Sequence, residues 1–383
     1  MTGLYCCWAI KKSNNGFYIS SINAKYLIEF YKVYGKIVLL TTASISEHSN
    51  SDVFISSDIC EVIELPLFEN YISSAKHFFK ITKSIKLLCK MTNRIYIKTP
   101  EPFCWFFVFF KKDKIINYHF VSNPLQVILN NKNKSFLSRI SRFLLYLPEY
   151  ILTCISAYLC NSSANGNSVI NNVPFFLRKK TKVLIESSLT EQDFQTHTSS
   201  KIKDSGLINF LTVSRLYEGK GLELLINTFK KLNEYYPNKK FHLTIAGDGP
   251  LRKSLINLIN TNKLNSLVTL LGEVPNGNDL NEVYSSNEVF INPSSSETGP
   301  RVILEAMSQS LFCITTDVGY VNEVMNINGS CCGKIIPINS EIDLLNSILW
   351  TFDNPQELKN LSLLGKKYAR NFKLSDFVEK IFS

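Results

Sequence analysis

Two glutamates stand eight positions apart where one apolar stretch of the sequence passes into another. Glu297 follows residues 289–291, a short apolar run that predicts a buried strand. Glu305 lies in the second apolar stretch, which predicts a helix whose first residue is Pro300, a position where proline's missing N–H costs nothing. A carboxylate in so apolar a helix needs hydrogen-bond donors. Paired hydroxyls, as in a ribose or a hexose, are donors of that kind.

Groups suited to phosphate accompany the two glutamates. The N–H of Gly299, at the predicted helix start, offers an anion site through unpaired amides and the helix dipole. Arg215 and Lys220 follow a predicted strand over residues 207–213 and can reach a diphosphate, although either one alone would be an ordinary surface base. These residue types together suit a ligand that carries both sugar hydroxyls and phosphate.

Strand-like and helix-like segments alternate from about residue 205 onward, and the strands are nearly continuous apolar runs. This alternation predicts a doubly wound α/β domain, in which ligands bind outside the carboxyl ends of the strands. The polar motifs lie at those ends, including a tight turn that begins with Gly247 and Asp248. The first half of the chain shows a similar but less regular pattern. We expect domains at residues 1–190 and 191–355, and a last helix over 356–383 that packs back towards the first domain.

Positive charge is concentrated in the first half of the chain. The net charge is +10, and residues 1–190 hold 23 basic against 11 acidic residues. Zinc-finger spacing and aromatic RNA-binding motifs are lacking, so an anionic membrane surface is a better partner than nucleic acid. Residues 76–94 predict a basic amphipathic helix, which is either a membrane-binding surface or an ordinary solvated face. The apolar run at 103–110 is too short to span a bilayer, and Pro148 interrupts the run at 143–160. We expect a cytoplasmic protein, peripheral at the inner face of the cell membrane.

Four motifs, in order, give the second half a resemblance to a known family. They are Arg215-x4-Lys220-Gly221, the turn at 247–250, Leu271-Gly272, and the Pro-Ser block that ends in Glu297-x7-Glu305-Ala. In these motifs the chain resembles the retaining glycosyltransferases of family four, which have the GT-B fold. The resemblance implies an α/β protein of two Rossmann-like, doubly wound domains that face a central cleft, the first binding the acceptor and the second a nucleotide-sugar donor.

The resemblance also implies a role for individual residues. Arg215 and Lys220 would neutralise the donor diphosphate, and Glu305 would bind the ribose. Glu297 would hold the transferred sugar. The remaining donor-binding candidates are Thr298, Gly299, Gly247, Asp248 and, in the first half, Gly16. His119, after a predicted strand at 115–118, would face the sugar as a catalytic residue, whereas a lone histidine is more often structural. Neither a metal nor another cofactor is expected, because bases and helix amides replace the cation.

The resemblance implies transfer of a hexose or related sugar, with retention of configuration, to a lipid-linked saccharide. The assembly of lipopolysaccharide, O-antigen or capsule is the setting it suggests. Two alternatives remain open: a catalytically degenerate, membrane-associated partner of another transferase, and a sugar-nucleotide 2-epimerase. The first is favoured by departures from the family pattern at residues 298–300 and 308–310. The sequence does not disclose the donor base, the sugar or the linkage.

Overall fold

The chain divides into two compact units. The structure, a computed structural model, describes residues 1–44, 52–130, 134–194 and 206–383. Unit 1 comprises residues 1–185 together with 374–383, and unit 2 comprises residues 186–373. The structure thus places the boundary five residues before the predicted one.

Unit 1 is built on a parallel sheet of seven strands. The strands of this unit, in chain order, are β1 (Thr2–Tyr5), β2 (Lys11–Ser13), β3 (Gly16–Ser20), β4 (Ile37–Thr42), β5 (Asp52–Ser56), β6 (Cys60–Leu65), β7 (Arg94–Thr99), β8 (Ile115–Phe120), β9 (Asn161–Ala164) and β10 (Lys182–Val183). The parallel sheet has the order β10-β9-β8-β7-β1-β4-β6. β2, β3 and β5 form a separate antiparallel sheet.

Helices cover this parallel sheet. They are α1 (Ser21–Tyr34), α2 (Tyr71–Ser74), α3 (Phe78–Met91), α4 (Pro124–Asn130), α5 (Phe136–Leu159), α6 (Asn167–Ile170) and α7 (Phe175–Arg178). The basic helix predicted at 76–94 is α3, whose Ile81, Ile85 and Leu88 are buried in the core while its lysines face solvent. The chain at 103–110 falls mainly in a 3₁₀ helix, Cys104–Asp113.

Pro148, which interrupts the apolar run at 143–160, does not end the helix there, because α5 continues through it. A proline inside a helix removes one backbone hydrogen bond. Here the second half of α5 packs against the core through Tyr150, Cys154 and Ala157, and this burial maintains the helix beyond the proline. Within the residues that the structure describes, none of the helices combines the length and apolar character needed to cross a membrane.

Unit 2 contains a second parallel sheet, of six strands. The strands of unit 2, in chain order, are β11 (Leu207–Val213), β12 (Lys240–Ala246), β13 (Val268–Gly272), β14 (Val289–Asn292), β15 (Phe312–Thr316), β16 (Asn326–Ile327), β17 (Ser330–Cys331) and β18 (Gly333–Ile336). Its helices are α8 (Leu222–Tyr235), α9 (Arg252–Thr261), α10 (Asn278–Ser285), α11 (Arg301–Ser308), α12 (Val321–Met325), α13 (Glu341–Asp353) and α14 (Pro355–Ala369). The sheet order is β13-β12-β11-β14-β15-β18, and β16 pairs with β17 alone. The prediction of two parallel-sheet α/β domains is confirmed.

The carboxyl-terminal segment forms two helices where one was expected. α14 belongs to unit 2, and the chain then turns at residues 370–373 into α15 (Leu374–Lys380), which belongs to unit 1. Leu374, Phe377 and Val378 of α15 are buried in the core that includes Tyr26 of α1. Only the last ten residues, and not the whole segment from 356, therefore return to the first unit.

Candidate active site

The predicted donor-binding residues of unit 2 follow the carboxyl ends of adjacent strands. β12, β11, β14 and β15 are neighbours and run parallel, so the loops that leave them emerge at one edge of the sheet. These loops carry Arg215 and Lys220 after β11, Gly247 and Asp248 after β12, and Glu297 after β14. In an open parallel sheet this edge is where ligands bind.

Lys220 and Glu297 form an ion pair between two of these loops. The Lys220 Nζ contacts Oε1 of Glu297, and each side chain is about one fifth exposed. The same oxygen also accepts a hydrogen bond of 3.2 Å from the Ser294 hydroxyl. Solvent therefore reaches a cation and a carboxylate that touch each other, and such a pair offers a positive group suited to a phosphate beside an acceptor suited to a hydroxyl.

Glycine fixes the distance between these two loops. Gly221 has φ +68°, and a Cβ there would lie 2.1 Å from the Pro293 carbonyl oxygen. Next to it, the Ser295 N–H donates to the Gly219 carbonyl at 2.8 Å. The backbones that carry Lys220 and Glu297 are thus in direct contact, and a side chain at position 221 would separate them.

Glu305 is held by two hydroxyls of the protein. Ser188 donates to its Oε1 at 2.8 Å and Tyr284 donates to its Oε2 at 3.0 Å. The hydrogen bonds that the sequence requires for this carboxylate are thus partly supplied from within the protein, while the residue stays partly exposed. Burial, reinforced by the charge of Glu305, raises the pKa of Tyr284 well above its ordinary value, so Tyr284 remains a donor.

The helix that carries Glu305 begins one residue later than predicted. α11 starts at Arg301, and Pro300 is the capping residue before it, with φ −76° and ψ 86°. Thr298 is exposed and Gly299 is partly exposed, so the backbone ahead of the helix is accessible. Gly319 supports this segment, because a Cβ at its φ of +60° would lie 2.8 Å from the Thr298 carbonyl oxygen.

Gly247 and Asp248 contact the backbone of the loop that carries Arg215. A Cβ on Gly247 would lie 1.9 Å from the Ser214 carbonyl oxygen, and the Asp248 carbonyl accepts the Leu216 N–H at 2.9 Å. The turn thus packs directly against both neighbours of Arg215. The Arg215 side chain itself is exposed, with its guanidinium 5.7 Å from the centre of the Tyr217 ring.

The two candidates from the first half lie in unit 1. His119 is fully buried on β8, where its Nδ1 is 2.9 Å from the Ser163 hydroxyl and its ring meets that of Phe377. This burial favours a structural role, and its catalytic role stays a prediction. Gly16 begins β3, where a Cβ would lie 2.1 Å from the Ile55 carbonyl oxygen, so close strand pairing accounts for this glycine. Its contact with a donor also stays a prediction.

Sequence reasoning missed the two residues that hold Glu305. Ser188 lies 117 positions before it and Tyr284 21 positions before it, so no local pattern connects them. Within the described parts of the chain, no group of three metal-binding side chains lies close enough to hold an ion.

The second half of the chain is similar in sequence to known proteins. The family model for glycosyl transferases group 1 matches residues 193–368. The gpi3 subunit of phosphatidylinositol N-acetylglucosaminyltransferase from Schizosaccharomyces pombe is 30% identical over 180 residues, which are 47% of this chain and 38% of that protein. The chain therefore spans less than half the length of this relative.

Two solved structures resemble the chain over almost its full length. WaaG, a glycosyltransferase involved in lipopolysaccharide biosynthesis, superposes with a TM-score of 0.67 at 15% identity, over 99% of this chain and 98% of WaaG. HepE of Anabaena in complex with UDP superposes with a TM-score of 0.69 at 15% identity, over 100% of this chain and 98% of HepE. At this identity the likeness concerns the fold. Residues 193–368 thus match the model of the group 1 glycosyl transferases, in a chain whose fold resembles that of solved glycosyltransferases.

Proposed function

We propose that the chain is a retaining glycosyltransferase that moves a hexose or related sugar from a nucleotide-diphosphate donor to a lipid-linked saccharide. The observation that carries the proposal is the contact of Lys220 with Glu297 at the sheet edge that also bears Glu305. A donor has its diphosphate beside its sugar, and a cation in contact with a carboxylate matches that order of groups. The UDP bound to HepE and the N-acetylglucosamine in the name of the S. pombe relative support a nucleotide-sugar donor.

The reaction requires one bond to form and one to break at the anomeric carbon. The acceptor hydroxyl oxygen bonds to this carbon on the side from which the nucleotide leaves, and the departing phosphate takes the hydroxyl proton. Lys220, Arg215 and the amides at Thr298 and Gly299 stabilise the charge that develops on the diphosphate. Glu297 binds the sugar and Glu305 the ribose, while Gly247 and Asp248 act through the backbone beside Arg215.

Donor binding can be tested by thermal unfolding in the presence of a panel of nucleotide sugars. A donor at a hundredfold excess over its Kd should stabilise the protein by about 2.7 kcal/mol. Lys220→Ala should abolish the shift, whereas Lys253→Ala, an exposed lysine on α9, should preserve it. If the shift survives Lys220→Ala, the phosphate role of Lys220 is wrong. Sugar transfer that is lost in Glu305→Gln would exclude a catalytically inactive partner protein.

The acceptor side of the proposal includes an anionic membrane, in keeping with the charge of the first half. One side of α5 exposes a stripe of apolar residues, in which Leu144 and Leu145 are 59% and 60% exposed. The rest of the stripe consists of Leu137, Ile151, Leu152, Ile155, Tyr158 and Leu159. An apolar face of this size, bordered by cations, is typical of helices that lie in a lipid interface.

Basic residues lie at both ends of this stripe. Arg139 and Arg142 are on the first turns of α5, and Lys179 follows α7. Lys180 lies with its Nζ 5.1 Å from the centre of the Tyr158 ring on α5. Cations beside an exposed apolar face complement a negatively charged bilayer. The lipid in the name of the S. pombe relative and the lipopolysaccharide pathway of WaaG support a lipid-linked acceptor in the assembly of surface polysaccharide.

Membrane binding can be tested by sedimentation with vesicles that contain phosphatidylglycerol. Leu145→Asp should reduce the bound fraction at least tenfold, because a carboxylate is costly in the lipid interface. The matched control is Leu363→Asp on α14 of unit 2, where the leucine is also exposed. Equal binding of the two variants would show that α5 is not the membrane-binding face.

A further inference from the structure

A buried polar cluster lies behind Glu297, on two neighbouring strands of the sheet of unit 2. It consists of Asn292 at the end of β14, Ser294 just after that strand, and Thr315 and Thr316 at the end of β15. None of these four residues is more than 4% exposed. The cluster is therefore too deeply buried to touch a ligand, but it reaches the carboxylate of the candidate site through Ser294.

The hydrogen bonds within the cluster fix the orientation of the Asn292 amide. The Thr315 hydroxyl donates its one proton to the Thr316 carbonyl at 3.1 Å, so its oxygen accepts from Nδ2 of Asn292 at 3.3 Å. The amide oxygen Oδ1 of Asn292 therefore lies on the other side, where the Ser294 hydroxyl is 2.9 Å away. A buried amide oxygen needs a donor, and Ser294 supplies it.

The one proton of the Ser294 hydroxyl has two acceptors. The first is Oδ1 of Asn292, and the second is Oε1 of Glu297 at 3.2 Å. A hydroxyl has a single donor, so it can serve only one of these oxygens fully at a time. The backbone of Ser294 is fixed, because its carbonyl accepts the Thr316 hydroxyl at 2.5 Å. A rotation of the O–H bond alone can therefore move the donor from Asn292 to Glu297.

Lys220 determines how much Glu297 depends on this donor. The Lys220 Nζ contacts the same oxygen, Oε1, that faces Ser294. A bound diphosphate competes with Glu297 for this ammonium, because both offer anionic oxygens to it. Oε1 then keeps Ser294 as a donor, and Glu297 retains the position from which it can accept the hydroxyls of a sugar.

We propose that Ser294 is a positioning residue for Glu297, and that its hydroxyl turns from Asn292 to the carboxylate when a diphosphate binds Lys220. The inference rests on the proposed function for the roles of Lys220 and Glu297. It goes beyond that function because the sugar end of the site then depends on a side chain that never touches the ligand. Ser294 should therefore affect the binding of a nucleotide sugar and leave the binding of the nucleoside diphosphate alone unchanged.

Calorimetry with matched ligands separates these two affinities. The probes are UDP, GDP and ADP, each alone and as its conjugates with glucose, mannose and N-acetylglucosamine, and the pair that binds tightest serves for all variants. Ser294→Ala should weaken binding of the nucleotide sugar about tenfold, because it removes a hydrogen bond to a charged group. The Kd of the nucleoside diphosphate should change less than about twofold. A merely structural loss would weaken both ligands alike.

The matched control is Thr212→Val, which also removes a buried hydroxyl from this sheet. The Thr212 hydroxyl donates to the Ile291 carbonyl on β14 at 2.8 Å, and not to Glu297. The substitution should lower the stability of unit 2 as Ser294→Ala does, since both leave a buried acceptor with one donor fewer. Both ligand affinities should nevertheless stay within about twofold of the wild type.

A second background tests whether Ser294 acts through Glu297. In Glu297→Gln the charge that Ser294 serves is absent, so the further change Ser294→Ala should alter the nucleotide-sugar Kd less than about twofold. The inference is wrong if Ser294→Ala weakens both ligands equally, weakens neither, or has its full effect in the Glu297→Gln background. In each of these cases, binding of the ligands to the wild type still supports the donor site. A wild-type protein that binds none of the probes would instead refute the proposed function, and the inference with it.

Discussion

Replacing Glu149 by glutamine should remove a pH dependence from the stability of unit 1. The Glu149 carboxylate accepts hydrogen bonds from the Phe103 N–H at 2.6 Å, from Nε1 of Trp105 at 2.6 Å and from the Tyr71 hydroxyl at 3.1 Å. Burial nevertheless raises its pKa to about 7, because these hydrogen bonds only partly offset the loss of water around the charged form. Between these two pKa values, Glu149 therefore keeps a proton in the folded unit that it has lost in the unfolded chain.

The direction and size of the effect follow from this difference in pKa. The pKa of Glu149 in the folded protein exceeds its unfolded value near 4.5. The contribution of Glu149 to the free energy of unfolding is therefore fully present below about pH 4.5 and is lost as the pH rises through about 7. Between about pH 5 and about pH 8, the free energy of unfolding should fall by roughly 2.5 kcal/mol from Glu149 alone. Glutamine at position 149 places its amide N–H against these hydrogen-bond donors at every pH. The free energy of unfolding that the substitution costs, about 1–3 kcal/mol, is therefore the same at every pH.

Urea unfolding followed by tryptophan fluorescence measures this difference. The chain has three tryptophans, of which Trp8 and Trp105 are in unit 1, so a Trp350→Phe background confines the signal to that unit. All other titratable groups are the same in both proteins, so their effects cancel in the difference between Glu149→Gln and the reference. The variant should be clearly less stable at about pH 5 and nearly equal or more stable at about pH 8. A difference that stays constant with pH, or that grows as the pH rises, would refute the reasoning.

Two further predictions concern unit 2. Gly221→Ala combines a left-handed backbone with a clash against the Pro293 carbonyl and should lower the free energy of unfolding by about 3 kcal/mol, measured by urea unfolding. Gly329→Ala, at a φ of +79° with open space around it, should lose only about 1 kcal/mol, and equal losses would contradict the role of the contact. Tyr284→Phe removes one of the two hydroxyls on Glu305 and should cost about 1–2 kcal/mol of stability and weaken nucleotide-sugar binding severalfold. Unchanged affinity in that variant, measured by calorimetry, would show that Glu305 is not a donor ligand.

Much of unit 2 could be predicted because the central strands of its sheet, β11, β14 and β15, are largely buried on both faces. The apolar run at 207–213 coincides with β11, and the run predicted at 241–246 differs from β12 by a single residue. A strand inside a parallel sheet needs apolar side chains on both faces, so the signal is continuous and its ends are sharp. The loops that follow the strands were predictable for the same reason, since the polar motifs begin where each apolar run stops.

Unit 1 was harder to predict because one of the interior strands of its sheet, β1, is short. β1 has only the four residues Thr2–Tyr5, too few for a periodic pattern, and its position between β7 and β4 depends on pairings more than thirty residues away. The cavity of unit 1 that is lined by Phe68, Tyr71, Glu101 and Val127 could not be predicted either. Its lining comes from segments that are separated by tens of residues, and no local pattern connects them.

The return of α15 to unit 1 has a consequence for the order in which the protein is made. Domains commonly fold in the order in which they are synthesised. Here Phe377 packs on His119, and Asn117 donates to the Ile381 carbonyl at 2.8 Å, so the half translated first lacks part of its interior until translation has passed residue 381. Unit 2 is continuous in sequence and has no such delay. A nascent chain that has emerged from the ribosome only as far as residue 373 should therefore hold a complete second unit and an incomplete first one.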